Sequence, residues 1–332
     1  MERRFCLLGG TKREIVAGIV SLSDEDVQRL ISFPELVDVM RRTFIAAANG
    51  KVVCPPRTAL NVPDGWFATM PASLALDGLQ GLGAKLITAF PANGTRNLPT
   101  HLATVALFDP TTGIPIASIA ANWLTDARTA AVSVVATAAL ASATSVHAIL
   151  GSGAQARAHL RGFAELQMIS KARIWARTAS GAAAIAELAT LLGLDATVHD
   201  SADEAVRGAD VITTVTASPT PLFAADAVKP GAHVNAVGAC VPTKRELPAE
   251  LLARSLVVVD SRAAALLESG DILLAIKDGA IEADSIAGEL ADVLAGRIQP
   301  RTSAAAITIF ESLGLAMEDI AAAALVYARA QR

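Results

Sequence analysis

Val146-His147-Ala148-Ile149-Leu150-Gly151-Ser152-Gly153-Ala154-Gln155-Ala156 reads as a short apolar strand, a glycine turn and the start of a helix that continues through Ala158, Leu160 and Phe163. The turn has the spacing G-x-G-x-x-A. Each fixed position has a physical use in holding a dinucleotide: Gly151 permits the tight turn, Gly153 lets a pyrophosphate approach the backbone, and Ala156 keeps helix and strand close. Ser152, Ala154 and Gln155 complete a helix start whose unpaired N–H groups face the phosphates. Taken alone, the hexapeptide also fits any tight strand-to-helix turn. Its neighbourhood selects the cofactor reading.

Downstream, short apolar runs at 172–176, 196–199, 211–215, 233–237 and 256–259 predict strands, with alanine-rich helical stretches between them. Strands that alternate with helices form a parallel sheet covered on both faces. The fold class is therefore α/β, a doubly wound Rossmann sheet, accompanied by an α+β domain. Where NAD is bound, an acidic residue roughly 20 positions beyond the first glycine reads the adenosine ribose. This chain has Trp175-Ala176-Arg177-Thr178-Ala179-Ser180 at that place, without a carboxylate. Arg177 offers a fork of donors to a 2′-phosphate, and Thr178 and Ser180 add hydroxyls, so NADPH is expected, with NADH as the alternative. A surface arginine closing a strand is the other reading of Arg177.

Upstream, Ser23 followed by Asp24, Glu25 and Asp26 predicts a capped helix start. Apolar residues from Phe33 to Phe44 recur at helical spacing, and Asn49-Gly50 ends that run. Between Val52 and Phe108 short apolar runs are broken by Pro, Gly and Asn, which predicts strands at 66–70, 84–88 and 103–108. A helix over 122–141 leads into the glycine-turn strand, and residues 304–332 read as amphipathic helix expected to pack back on the first domain. The resulting division is a leader, 1–22, an α+β domain of 23–121 with 303–332, and a dinucleotide domain of 122–302.

With 332 residues, 52% of them hydrophobic and 18% charged, the chain can fill a large interior, which excludes a peptide hormone or a disulfide-stapled mini-protein. Its 28 basic and 32 acidic residues leave a net charge of −4, so nucleic acid and anionic lipid are not expected partners. Cys6, Cys54 and Cys240 lie far apart without C-x-x-C spacing, which fits a reducing cytoplasm and neither a disulfide framework nor a zinc site. The basic start, Met1 to Arg4, is followed by too short an apolar run for a signal peptide, because Lys12, Arg13 and Glu14 interrupt it. Between Arg128 and Arg157 only His147 is ionisable, yet Ser133, Thr137, Ser142, Thr144 and Ser145 stud the run, so it reads as buried helix and strand rather than a membrane span.

Three cations interrupt segments poor in charge: Arg57 after Pro55-Pro56, Lys85 after Gly83-Ala84, and Arg128 in Thr125-Asp126-Ala127-Arg128-Thr129. Singly, each reads as one half of a structural ion pair or as a solvated edge. Together they can form a pocket for a small carboxylate, held by the arginine forks and the lysine point charge. The five histidines have no metal-binding spacing and no G-x-S-x-G elbow occurs, so metal hydrolysis and acyl transfer gain no support.

The combination of Pro56-Arg57-Thr58, Met70-Pro71-Ala72, Ala84-Lys85, Arg96-Asn97-Leu98-Pro99-Thr100-His101, Thr125 to Ala131, the glycine turn, Pro230 to Gly238, Lys244-Arg245-Glu246-Leu247 and Val259-Asp260-Ser261 resembles the ornithine cyclodeaminase/mu-crystallin family. That resemblance, from about residue 22 to the end, implies a homodimer built through the first domain. It also implies that Arg57, Lys85 and Arg128 meet a substrate carboxylate or its surroundings, and that Thr100 lies near the nicotinamide. Thr216, the segment Val234 to Val237 and Lys244 would line the cofactor. In cyclodeaminases of the family, an aspartate follows the Asn-Ala-Val-Gly stretch and a glutamate precedes the Met-Pro pair; this chain has Cys240 and Ala68 there. The resemblance is therefore nearer to the mu-crystallin branch and the cyclic ketimine reductases, with reduction of Δ1-pyrroline-2-carboxylate or Δ1-piperideine-2-carboxylate by NADPH as the expectation. Cys240 is then a small wall or weak donor beside the imine, or a packing residue. The alternatives are ornithine cyclodeamination, an alanine or other amino-acid dehydrogenase, and a non-catalytic NADP-bound carrier.

Overall fold

The computed structural model describes residues 18–96, 98–299, 301 and 303–332, and these form two sheets linked by a long helix. The first sheet contains Val20–Leu22 (β1), Val52–Val53 (β2), Thr58–Val62 (β3), Gly65–Leu76 (β4), Leu79–Ala89 (β5), His101–Phe108 (β6) and Pro115–Ala120 (β7), in the order β1-β7-β6-β5-β4-β2 with β3 on β4. Along β4, Ala68, Met70, Ala72, Leu74 and Leu76 point to one face and are buried, as a period of two requires. Helices Asp24–Leu30 (α1), Phe33–Ala48 (α2) and Asn122–Leu140 (α3) pack with this domain. Ser23 caps α1 as expected, accepting the Asp26 N–H at 3.2 Å in a reciprocal capping box.

Residues 1–17 of the expected leader lie outside the described residues. Its last part is corrected: Val20–Leu22 forms a strand, β1, that pairs in parallel with β7, Val20 opposite Ala117. Three edge-strand residues are too few to display an alternation.

The second sheet and its helices follow as Val146–Leu150 (β8), Ala154–Glu165 (α4), Lys171–Trp175 (β9), Ala179–Leu191 (α5), Asp195–Val198 (β10), Ala202–Val206 (α6), Val211–Thr214 (β11), His233–Ala236 (β12), Ala249–Ala253 (α7) and Leu256–Val259 (β13). Then come Arg262–Glu268 (α8), Gly270–Lys277 (α9), Ile286–Glu289 (β14), Leu290–Leu294 (α10), Thr308–Glu311 (β15) and Ala316–Ala330 (α11). The strand order is β10-β9-β8-β11-β12-β15-β13-β14, and the pairings are parallel. From β8 the chain winds first toward β10 and then, from β11, the opposite way. The switch point between β8 and β11 is where such sheets hold ligands, beyond the strands' C-terminal ends.

The tail also differs from expectation. Thr308–Glu311 is a strand lodged between β12 and β13, and helix begins only at Ala316. Four residues buried on both faces show no alternation, and the alanines before them mimic a helix. The chain thus stays with the second sheet through Glu311 before α11 packs on β5 and β4 of the first. As a result the start of α11 sits at the C-terminal edge of the second sheet. Among the described residues, no helix is long and apolar enough to cross a membrane.

Candidate active site

Gly151 has φ of +135°, and a Cβ there would come within 2.8 Å of Val215 O, so only glycine fits the turn after β8. Gly153, the N-cap residue of α4, is exposed and has nothing within 4 Å of its missing side chain. That open backbone at a helix start fits a pyrophosphate. Ala156 is fully buried, which brings α4 close to the sheet. Ser152 and Ala154 flank the open backbone, and Gln155 donates Nε2 to Asp126 Oδ1 at 2.8 Å, tying α4 to α3.

Arg177 and Thr178 lie exposed just past β9, beside β8 on the far side from β11. Thr178 caps α5 through a bond from Gly181 N at 3.2 Å, and a Cβ on Gly181 would meet Ser152 Oγ at 2.5 Å, so this strand end adjoins the glycine turn. Across the switch point stand Thr216 after β11 and Val237 after β12, whose N–H donates to Thr214 O at 3.0 Å. Lys244 is half-buried in the loop beyond Cys240, its carbonyl packed against Gly270.

The three cations come together, although each arrives from a different element. Lys85 on β5 and Asp319 on α11 are both 1% exposed, with Nζ and Oδ2 2.7 Å apart. Arg128 on α3 donates Nε to the other oxygen of Asp319 at 2.9 Å and Nη1 to Glu318. Arg57 donates Nη2 to Leu313 O at 2.8 Å and pairs with Glu268 on α8, also at 2.8 Å. Gly314 abuts the Arg128 guanidinium, where a Cβ would approach Nη1 to 2.6 Å. Leu313 and Gly314 are in turn fixed by N–H bonds to Asp260 Oδ2 at 2.7 and 2.8 Å. The segment from Leu313 to Asp319 is therefore the common partner of the cations, and it borders a narrow cleft between Pro56, Arg57, Met70, Glu268 and Gly314.

Each cation thus has an acidic partner, the ion-pair alternative left open by the sequence, while the set still forms one cluster. Burial brings the Lys85 ammonium down to about 8, despite the opposing pull of Asp319, so its proton is exchangeable near neutrality. Burial pushes the Asp126 carboxyl up to about 6, with Arg128 and Gln155 pulling it back. Cys240 rises to about 12 through burial and stays a thiol, its Sγ donating to Val237 O at 3.2 Å. It is a small protonated wall joining β12 to the Leu313 segment, not a nucleophile. Thr100 is exposed, its hydroxyl 3.1 Å from Nδ1 of His101, whose ring stands edge-on to Trp66. Among the described residues no group of three or more His, Cys, Asp or Glu side chains could hold a metal.

Sequence reasoning missed Glu318 and Asp319, and gave Asp260, quoted within a motif, no role. One signal was available: Glu318-Asp319 stands within Leu315 to Leu325, a stretch otherwise apolar, and paired acids inside a buried helix need cations.

Comparison with known proteins agrees with this fold. The ketimine reductase mu-crystallin of Mus musculus is 40% identical over 313 residues, covering 92% of this chain and 96% of its own. The Delta(1)-pyrroline-2-carboxylate reductase of Thermococcus litoralis, solved with NADH and L-proline, superposes with a TM-score of 0.90 at 35% identity, covering 94% of this chain and 98% of that one. An archaeal alanine dehydrogenase dimer with bound NAD gives 0.89 at 34% identity, over 94% and 96%. Residues 19–332 match one family throughout, and the chain belongs to it: the ornithine cyclodeaminase/mu-crystallin family.

Proposed function

We propose that the protein reduces cyclic imino acids, Δ1-pyrroline-2-carboxylate and Δ1-piperideine-2-carboxylate, to L-proline and L-pipecolate with NADPH. It is a nicotinamide-dependent oxidoreductase, as its reductase and dehydrogenase relatives are. The observation that carries the substrate assignment is the cluster of buried Lys85 and Arg128 with half-buried Arg57, gathered around the segment from Leu313 to Asp319. Three cations matched by Glu268, Glu318 and Asp319 leave that cluster nearly neutral, which suits a zwitterion bearing one carboxylate and one protonated imine.

The residues fit the dinucleotide. Gly153 leaves its backbone open, Gly151, Ser152, Ala154, Gln155 and Ala156 shape the turn, and Arg177 with Thr178 meets the adenosine end. When bound, the dinucleotide supplies the hydride. Arg128 and Arg57 hold the substrate carboxylate, and Arg57 has donors beyond the one given to Leu313 O. Lys85 keeps a proton close to the imine nitrogen or returns one to it. The apolar walls exclude water, and orientation of an already electrophilic iminium supplies much of the rate. Ala68 and Cys240 stand where cyclodeaminases of the family carry carboxylates, which removes the acid–base apparatus that expulsion of ammonia from ornithine needs.

Arg177 without a neighbouring carboxylate supports NADPH over NADH. The three separated cysteines, of which Cys54 and Cys240 are free, support a reducing cytoplasm as its compartment. A homodimer is supported by an uncovered sheet face. Val53, Leu60, Leu86 and Leu102 are exposed on one side of the first sheet, where Leu60 follows across Phe67 and Thr88 to Leu102. A second copy of the chain is the occupant that the reading assigns to it.

One panel tests the activity: NADPH oxidation with five- and six-membered cyclic imines, with pyruvate plus ammonia, and incubation with ornithine. Consumption with the cyclic imines is expected. Preference for pyruvate plus ammonia makes it an alanine dehydrogenase, ammonia from ornithine without net coenzyme change makes it a cyclodeaminase, and no turnover at all leaves a carrier.

A further inference from the structure

The loops that follow β11 and β12 end on a single buried carboxylate. Glu246 is 0% exposed, and its Oε1 accepts the Thr216 N–H at 2.6 Å while its Oε2 accepts the Gly238 N–H at 2.8 Å. Its own backbone is held as firmly. Glu246 N donates to Asp271 Oδ1 at 2.8 Å, and its carbonyl accepts from Leu222 N at 2.9 Å. Two loops, around residues 216–222 and 237–240, and the first turn of α9 at Asp271 are therefore bolted together by one side chain and its peptide groups. Space is tight there: a Cβ on Gly238 would come within 2.2 Å of Thr216 O and 2.6 Å of Glu246 Oε2. No cation is needed to satisfy this carboxylate, because two backbone donors meet its two oxygens.

The position of this bolt gives it a use. A dinucleotide whose adenosine end met Arg177 beyond β9 would cross the switch point and bring its other end toward the loops after β11 and β12. We propose that Glu246 is the positioning residue for the nicotinamide end: its carboxylate fixes the backbone of Thr216 and Gly238 in the bound geometry before the coenzyme arrives. The inference rests on the dinucleotide reading given above. It adds that the two halves of the coenzyme are held by separable machinery, the glycine turn with Arg177 for one and the Glu246 bolt for the other.

The test is direct binding to the full-length protein, with Glu246→Gln as the variant. Glutamine has the same shape but turns an NH2 toward one of the two N–H groups, leaving that donor unmet. Removing one such charge-assisted bond is expected to weaken NADP+ roughly 10-fold or more, while 2′-phospho-ADP-ribose, which lacks the nicotinamide, shifts by less than about twofold. Equal weakening of both ligands, or of neither, overturns the proposal. Wild-type protein that binds neither ligand, nor NAD+ and ADP-ribose, overturns the dinucleotide reading instead. Amide hydrogen exchange on the wild-type protein gives a second measurement that needs no variant. Strong protection of the Thr216 and Gly238 amides without coenzyme is expected, and exchange at the rate of open loops refutes a preformed bolt.

Discussion

Arg128 holds two carboxylates at once, and that sets how its replacement must be read. Arg128→Met leaves Glu318 buried without a cation and Asp319 with Lys85 alone, a loss of about 3–5 kcal/mol of stability. Adding Glu318→Gln removes the stranded charge while Asp319 keeps Lys85, so stability returns in the double variant while activity does not. The expected fall in kcat/KM for the imine is about 100-fold or more, two hydrogen bonds to a charged group being lost. Denaturant unfolding and steady-state rates measure the two effects separately, and a folded double variant with wild-type kcat/KM removes Arg128 from substrate binding. Lys85 gives a pH signature. Its proton is released near pH 8 rather than at the ordinary 10.5, so a step that needs the ammonium slows as pH rises through about 8. In Lys85→Arg the charge persists, and that alkaline limb is expected to vanish even where the rate is lower. Past β9, Arg177→Ala is expected to raise KM for NADPH about 10-fold while leaving KM for NADH within about twofold. Equal changes for both coenzymes would return Arg177 to an ordinary surface residue.

Elements that act through local chemistry were legible in the sequence, and those that act through tertiary pairing were not. The glycine turn announces itself because the requirements for a left-handed φ at Gly151 and an open backbone at Gly153 fall within four residues. The capped start of α1 is legible for the same reason, since Ser23 and Asp26 satisfy each other three residues apart. Strand β15 is different. Nothing in Thr-Ile-Phe-Glu says that it slots between β12 and β13, which precede it in the chain by about 70 and 50 residues. Glu318 and Asp319 depend on that insertion, because it is β15 that delivers the start of α11 to Arg128 and Lys85. The cations were visible as residues out of place, whereas their partners became visible only with the fold. The first sheet offers the element-scale prediction. Its outward leucines make a surface with few polar groups, and apolar area left in water favours association. Leu86→Glu, on the central strand β5, is expected to convert a dimer to a monomer with unchanged secondary structure, read by light scattering across a concentration series. A wild-type protein that is monomeric throughout that series rejects the dimer.

Over the whole molecule, buried titratable groups of opposite kinds set the pH range of stability. His147, His159 and His233 are fully buried and stay neutral, burial bringing them down to about 3, 4 and 3. Asp260 is pushed up to about 7 by burial, Asp271 to about 8 by burial and the Glu246 charge, and Glu311 is raised by burial and the Asp271 charge; Asp271 and Glu311 each have one oxygen lacking a hydrogen-bond partner. The two sets have opposite signs. Below the ordinary histidine value of 6.5 the unfolded chain gains protons that the native imidazoles refuse, so their contribution is lost as pH falls. Above the ordinary carboxylate range the unfolded chain releases protons that the native acids retain, so theirs is lost as pH rises. Between about pH 4 and 6.5 the two kinds of group oppose one another, and stability is expected to be flatter there than above it. Beyond 6.5 the imidazoles fall silent and only the acids remain, each worth about 1.4 kcal/mol per pH unit until it ionises. Against a total of about 5–15 kcal/mol for a typical fold, a decline between pH 6.5 and 8 should be plain in urea midpoints of the free protein. Asp271→Asn is expected to soften that decline, because the amide oxygen still accepts from Glu246 and Leu247 while the charge is gone. His233→Gln removes one imidazole from the balance and tilts the flat region downward with rising pH. A wild-type stability maximum at pH 8 contradicts the assignment of these acids as proton-bearing in the native interior.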